Sequence, residues 1–276
     1  MKLAVVGKDV SQSSSPRMHT FILNAMGRSC SYETVSVSPE KFHERAEHLF
    51  NTYDAFNVTI PFKGEIIGYL NELVGDAKSF GAVNTVLSAT REGYNTDGYG
   101  FLLMLENEGI ELAGKTVIVF GAGGAGRSCI KKLGEAGATV FAFERNADRL
   151  REIYREFGNF TPLERVPYQH FDIALNCTGV GMHDTVGKTP EVLWEDGGVL
   201  PVGNAFLSLC DTVIDLIYVP EQSEFLRIGE ACGKRTLNGA AMLFYQAYMA
   251  DCIYLERTPS AAEAKTLYKR YLEENI

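Results

Sequence analysis

Short apolar runs alternate with longer stretches whose apolar residues recur every three or four positions, and this rhythm runs twice along the chain. KLAVVG at the start reads as a buried strand, followed by a serine-rich loop over residues 11–15 and a helix opened by Pro16 that runs to Gly27. Residues 32–37 are strand-like, 39–50 helical, 55–60 strand-like and 65–73 helical. Residues 82–88 and Tyr94 suggest a hairpin pair, after which Asp97 caps a helix that continues towards Glu108. Gly114 and Lys115 mark a turn into the most apolar strand, and the alternation resumes: strand 116–120, helix 124–136, strand 139–143, helix 147–157 and a further strand at 172–176. Two helices close the chain at 239–255 and 261–274, the second amphipathic. Two strand–helix series joined by one helix predict an α/β protein of two domains with a cleft between them.

Composition narrows the class. A chain of 276 residues with 46% hydrophobic and 22% charged residues can bury two ordinary cores. A net charge of −9 argues against a general nucleic-acid or anionic-membrane surface. The apolar run at the N-terminus is too short for a signal peptide or a membrane span, so a cytoplasmic location is expected. Six scattered cysteines without a C-x-x-C pair read as reduced thiols, and the five histidines have no metal-ligand spacing, so no metal is expected.

Chemistry concentrates in a few segments. In NVTIPFK, Val58, Thr59 and Ile60 favour extended backbone and Pro61 ends it, which leaves Lys63 at the C-terminal edge of a sheet. Ligands of open α/β sheets sit at that edge, although a lysine that merely opens the next helix fits these residues equally well. Gly121-Ala122-Gly123-Gly124-Ala125-Gly126 matches G-x-G-x-x-G between a strand and a helix, the setting in which such a loop cradles a dinucleotide pyrophosphate. The second strand of that series ends at Glu144-Arg145-Asn146. A carboxylate at Glu144 would accept a hydrogen bond from a ribose 2′-hydroxyl and repel a 2′-phosphate, favouring NAD; Arg145 could pair with that phosphate, favouring NADP. The loop Cys177-Thr178-Gly179-Val180-Gly181-Met182 follows the third strand and either covers the nicotinamide, through Thr178 and Met182, or is a bare turn. Ser13 and Ser15 precede a helix start, where hydroxyls cap the helix or hold a carboxylate. Asn84 and Asp97 end extended segments, as turn residues commonly do.

Together these segments resemble the shikimate dehydrogenase family, over nearly the whole chain. The Ser-x-Ser-Pro-x-x-His loop is matched by Ser13 to His19, and Asn-Val-Thr-Ile-Pro-x-Lys by the run to Lys63. Gly81-Ala82-Val83-Asn84-Thr85, Asn95-Thr96-Asp97-Gly98, the glycine loop, Asp215-Leu216-Ile217-Tyr218 and Asn238-Gly239 with Met242-Leu243-Phe244-Tyr245-Gln246 follow in order. The resemblance implies a substrate-binding and catalytic domain at residues 1–100 plus 239–276, a Rossmann domain at 101–238, and C-terminal helices returning to the first domain. It implies reversible reduction of 3-dehydroshikimate to shikimate with NAD or NADP. Lys63 would then move the proton, with Asp97 orienting it. Ser13, Ser15 and Tyr218 would hold the substrate carboxylate, and Thr59, Asn84 and Gln246 its oxygens. Gly239 would face the nicotinamide amide.

Three places depart from the family pattern. Gln12 and Thr20 stand where histidine and asparagine are usual, and Glu144-Arg145-Asn146 replaces the Asn-Arg-Thr of NADP-dependent members. Quinate dehydrogenase, or an enzyme acting on both acids, is the alternative within this class, and a non-catalytic nucleotide and metabolite sensor is the alternative outside it. The partners expected are small molecules, with no nucleic acid or membrane, and the protein is a monomer or a homodimer.

Overall fold

The structure, a computed structural model, describes residues 1–181 and 203–274. The chain divides into two compact units, Met1–Asn107 with Leu243–Ile276 and Glu108–Met242. The helix that begins at Asp97 therefore lies wholly in the first unit.

The first unit is built on a six-stranded mixed sheet. Its elements are β1 (Lys2–Gly7), α1 (Ser15–Ala25), β2 (Ser31–Ser36), α2 (Pro39–Thr52), β3 (Ala55–Val58), a 3₁₀ turn (Glu65–Tyr69), β4 (Glu72–Leu73), α3 (Asp76–Phe80), β5 (Thr85–Leu87), β6 (Glu92–Tyr94) and α4 (Asp97–Asn107). The strand order is β2-β1-β3-β5-β6-β4. β1 runs parallel to β2 and β3, whereas β5 is antiparallel to β3 and to β6, which gives the expected hairpin. Residues 65–73, expected to be one helix, instead split into the 3₁₀ turn and β4. The Arg91 carbonyl accepts the Asn71 N–H, and β4 pairs with β6, so a long-range ladder overrides the local helical pattern.

All four residues of β3 are buried, as a central strand flanked on both sides requires. The Phe62 ring is fully buried and stacks on Phe42 at 4.1 Å between centroids. That anchor leaves the neighbouring Lys63 half-buried at the end of the strand, where Val83 donates its N–H to the Lys63 carbonyl.

The second unit carries an all-parallel sheet. Its elements are β7 (Thr116–Phe120), α5 (Gly124–Glu135), β8 (Thr139–Phe143), α6 (Ala147–Phe157), β9 (Thr161–Leu163), β10 (Phe171–Asn176), α7 (Asn204–Leu207), β11 (Cys210–Asp215), α8 (Glu224–Ala231) and β12 (Arg235–Asn238), in strand order β12-β11-β10-β7-β8-β9. Neither β9, β11 nor β12 is marked by the apolar pattern. β9 is a three-residue edge strand containing Pro162, and β12 has no fully buried residue. Ile118, Phe120, Phe171, Phe206, Val213 and Phe225 form the core between this sheet and its helices.

The chain ends in α9 (Ala240–Tyr254) and α10 (Ala261–Glu273). These helices pack on the first unit, as expected: Ala250 and Tyr254 join Leu3, Leu23 and Ala55 in one buried cluster, and Phe21 of α1 meets Phe244 and Tyr271. Burying each large side chain here contributes about 1.5–3 kcal/mol. No helix among the described residues is long and apolar enough to cross a membrane.

Candidate active site

In the first unit three of the polar residues singled out by sequence, Asp97, Asn84 and Gln246, join Lys63 in one hydrogen-bonded cluster. Its Nζ donates to Asp97 Oδ2 at 2.6 Å, and the side chains are 21% and 10% exposed. The Asn84 amide donates to the other carboxylate oxygen, Oδ1, at 2.8 Å. Both Asp97 oxygens are thus occupied and the carboxylate cannot rotate freely. Among the described residues Asp97 is the hydrogen-bond partner of the ammonium, which has three donors and so retains two for a ligand.

The loop before α4 sets this geometry. Asn95 Oδ1 accepts the Asp97 N–H and its amide donates to the Ala82 carbonyl, tying the helix start to the segment that carries Asn84. Asn84 Oδ1 accepts the Thr96 N–H at 3.0 Å, and its amide reaches the Thr96 hydroxyl at 3.0 Å. Gln246 of α9 enters the same cluster, its Oε1 lying 3.4 Å from the Thr96 hydroxyl. Asn95 and Thr96 form part of the constellation, although sequence reasoning gave a role only to their neighbour Asp97. The signal was present in the Asn95-Thr96-Asp97-Gly98 motif itself.

A second layer lies beneath. Asn57 is buried; its amide donates to the Asn84 carbonyl, while its Oδ1 accepts the phenol hydroxyls of Tyr32 and Tyr254 at 2.7 and 2.9 Å. Tyr32 stacks on His19, which lies 2.6 Å from Asp251 in a pair almost wholly removed from solvent. Burial pushes the Asp251 carboxyl up to about 6 and raises the Tyr32 and Tyr254 phenols well above their usual range. Asn57 opens the NVTIPFK motif, but none of Tyr32, Tyr254 or Asp251 carries a sequence signal of its own, because only the fold brings them together.

Ser13 and Ser15 are half-exposed at the start of α1. Ser13 Oγ accepts the Ser15 N–H at 3.2 Å, and its hydroxyl donates to Ser15 Oγ at 3.1 Å, so the pair forms a small hydroxyl cluster beside the helix start. Thr59, also half-exposed, follows β3 and donates its N–H to the Val6 carbonyl.

In the second unit the glycine loop joins β7 to α5. Gly121 has φ +88°, which favours glycine, and a Cβ there would come within 2.6 Å of Thr178 Cγ2. A Cβ on Gly126 would lie 2.1 Å from the Gly121 carbonyl oxygen, so only glycine lets the helix start so close to the strand end. Gly123 is different: a Cβ there would meet nothing within 4 Å. Gly123 and Gly124 are exposed, Ala125 is half-exposed and Ala122 is buried, and the first turn of α5 has no acidic residue. The chain therefore offers a helix N-terminus with open space above Gly123, and the residues present fit a dinucleotide pyrophosphate.

Glu144 follows β8 and turns onto this loop: its Oε2 accepts the Ala122 N–H at 2.9 Å and its Oε1 the Asn146 N–H at 3.1 Å. Arg145 is exposed. Thr178 donates its N–H and its hydroxyl to Asn176 Oδ1, holding the loop after β10 against Gly121. Met182 lies outside the described residues. Tyr218, 41% exposed, belongs to the second unit and not to the one that holds Ser13 and Ser15. Gly239 has a packing reason of its own, since a Cβ would lie 2.0 Å from the Leu216 carbonyl oxygen.

A mixed-sheet unit with a lysine–carboxylate–amide cluster and a parallel-sheet unit with a dinucleotide loop define a two-domain nicotinamide-dependent oxidoreductase. Residues 5–86 match the model of the shikimate dehydrogenase substrate binding domain. An NADP(+)-named shikimate dehydrogenase of Thermus thermophilus is 32% identical over 99% of both chains, and that of Caldicellulosiruptor saccharolyticus 34% identical over 92% of both. The crystal structure of a Thermus thermophilus shikimate 5-dehydrogenase in complex with NADP(H) and shikimate superposes with a TM-score of 0.82, at 31% identity, covering 98% of this chain and 99% of that one. The chain belongs to the shikimate dehydrogenase family.

Proposed function

We propose that this protein catalyses the reversible, nicotinamide-dependent reduction of 3-dehydroshikimate to shikimate, in the cytoplasm, with Lys63 as the proton-transfer residue. The observation that carries the reading is the 2.6 Å contact of Lys63 Nζ with Asp97, braced by Asn84 at the end of β3.

A bound nicotinamide would supply the hydride in the reducing direction and accept it in the other. As the substrate carbonyl oxygen gains negative charge, Lys63 gives it a proton from one of the two ammonium donors that Asp97 does not engage; in oxidation Lys63 takes that proton back. Asp97 orients the ammonium and accepts a hydrogen bond from a substrate hydroxyl. Asn84, Thr59 and Gln246 hold the remaining oxygens. The Ser13 and Ser15 hydroxyls hold the carboxylate through neutral donors, which bind it more weakly than an arginine would. Gly121 to Gly126, Thr178 and Gly239 would hold the dinucleotide, Gly239 at its nicotinamide amide.

Lys63→Ala is expected to lower kcat for shikimate oxidation by about 10²–10⁴-fold with little change in KM. Near-normal turnover would sink the assignment. Steady-state kcat/KM for shikimate and quinate, measured on the wild type, separates this reading from a quinate enzyme, and absence of turnover with both acids and both cofactors would point to a sensor.

A further inference from the structure

We propose that Glu144 makes this enzyme prefer NAD to NADP, although the relatives described above are named for NADP(+); the inference rests on the dehydrogenase reading. In sheets of this kind the adenosine ribose lies where the second strand ends beside the glycine loop. Here that place is taken by a carboxylate. The Gly121 N–H donates to the Phe143 carbonyl at 2.8 Å, which brings the tip of β8 against the start of the loop, and Glu144 is the next residue.

Glu144 does not swing freely. Its two oxygens are held from opposite sides by the main-chain N–H groups of Ala122 and Asn146, and its side chain is only 13% exposed. A carboxylate fixed in this way is acceptor-only, so it can take a hydrogen bond from a ribose 2′-hydroxyl but has nothing to donate to a phosphate. A 2′-phosphate in the same place would set two like charges side by side, a repulsion built against the competing ligand.

The neighbouring cations do not reverse this. Arg149 lies 3.8 Å from Glu144 Oε2, so its charge is partly spent on that carboxylate. Arg151 is paired with Asp148 at 2.7 Å. Asn146 has its side-chain oxygen occupied by the Asp148 and Arg149 N–H groups as the cap of α6. Arg145 remains, exposed and next in sequence to the opposing charge.

Equilibrium dissociation constants of NAD⁺ and NADP⁺ for the full chain, measured by calorimetry without substrate, test the preference directly. NAD⁺ is expected to bind at least about tenfold more tightly. Thermal shifts with adenosine 5′-monophosphate and adenosine 2′-monophosphate as probes should differ in the same sense. Glu144→Gln keeps an oxygen for the Ala122 N–H and removes the charge; it should bring the two dissociation constants within about threefold of each other, mainly by strengthening NADP⁺. Wild-type protein that binds NADP⁺ as tightly as NAD⁺ overturns the proposal without touching the function assigned above, as does a Glu144→Gln ratio equal to that of the wild type. Failure to bind either dinucleotide overturns both.

Discussion

The two units build their chemistry by opposite means. In the first, side chains do the recognition: Lys63, Asp97, Asn84, Thr96 and Gln246 are linked by hydrogen bonds and rest on a layer of Asn57, Tyr32 and Tyr254. In the second, the main chain does it. The loop from Gly121 to Gly126 works through the absence of side chains, and the carboxylate that reaches it, Glu144, is itself held by main-chain N–H groups. A side-chain site fails when a functional group is deleted. A main-chain site fails when an atom is added.

The sharpest test of that contrast pairs Lys63→Ala with Gly126→Ala. The lysine variant should lose the turnover stated above while binding dinucleotide like the wild type. The glycine variant, whose new Cβ would fall 2.1 Å from the Gly121 carbonyl, should weaken dinucleotide binding about 100-fold or more and lower Tm as well. Unchanged dinucleotide affinity in Gly126→Ala would break the comparison.

Gly123→Ala separates packing from binding inside the loop. Gly123 has extended backbone, φ −68° and ψ −167°, and no atom near the added methyl, so Tm should stay within about 2 °C while the dinucleotide dissociation constant rises about tenfold. A matching loss of Tm would mean that Gly123, like Gly126, also serves packing.

Asn84→Ala deletes atoms in the first unit. It leaves the Thr96 N–H and one Asp97 oxygen without partners at a buried position, a cost of about 1–3 kcal/mol read as a Tm lower by several degrees. A Tm equal to that of the wild type would argue that water replaces the amide and that the network is looser than the geometry implies.

The smallest effect expected is a pH dependence. Asp215 of the second unit is fully buried; burial raises its carboxyl to about 6, against hydrogen bonds from Ser223, the Ile217 N–H and Asn176 that lower it. Asp251 of the first unit is raised to about 6 by burial, with His19 pulling the other way. A carboxyl raised in this way holds its proton longer when folded. The stability it contributes is fully present below about pH 4 and is lost as pH rises through about 6. Asp215→Asn should flatten that part of the Tm–pH profile between about 4 and 6, and an unchanged slope would show that the group does not titrate there.

Much of the fold was legible because the central strands β1, β3, β7 and β10 are buried on both faces and Gly121 and Gly126 sit where no other residue fits. The run Thr116–Phe120 followed by Gly121 and Gly126 admits few structures, and NVTIPFK ends a strand by its own chemistry. Residues 65–73 read as a helix because their apolar spacing is helical, while the partner that pulls Glu72–Leu73 into a strand is Glu92–Gly93, distant in sequence. Strand β12 stayed hidden for a related reason: its residues are half-buried or exposed, so it has no strong apolar signal.

By itself the sequence determined the alternation of strand and helix, the dinucleotide loop, and the short list of polar residues able to carry proton transfer, because these depend on local backbone preference and on residue chemistry. Only the tertiary structure decided which of those residues touch. Lys63 and Asp97 are 34 positions apart and meet at 2.6 Å, His19 and Asp251 are 232 apart and meet at 2.6 Å, and Glu144 reaches the Ala122 N–H across 22 positions. Contacts of that kind arise from the strand order and from the return of α9 to the first sheet, and no local pattern encodes a distance between residues that only the packed core brings together.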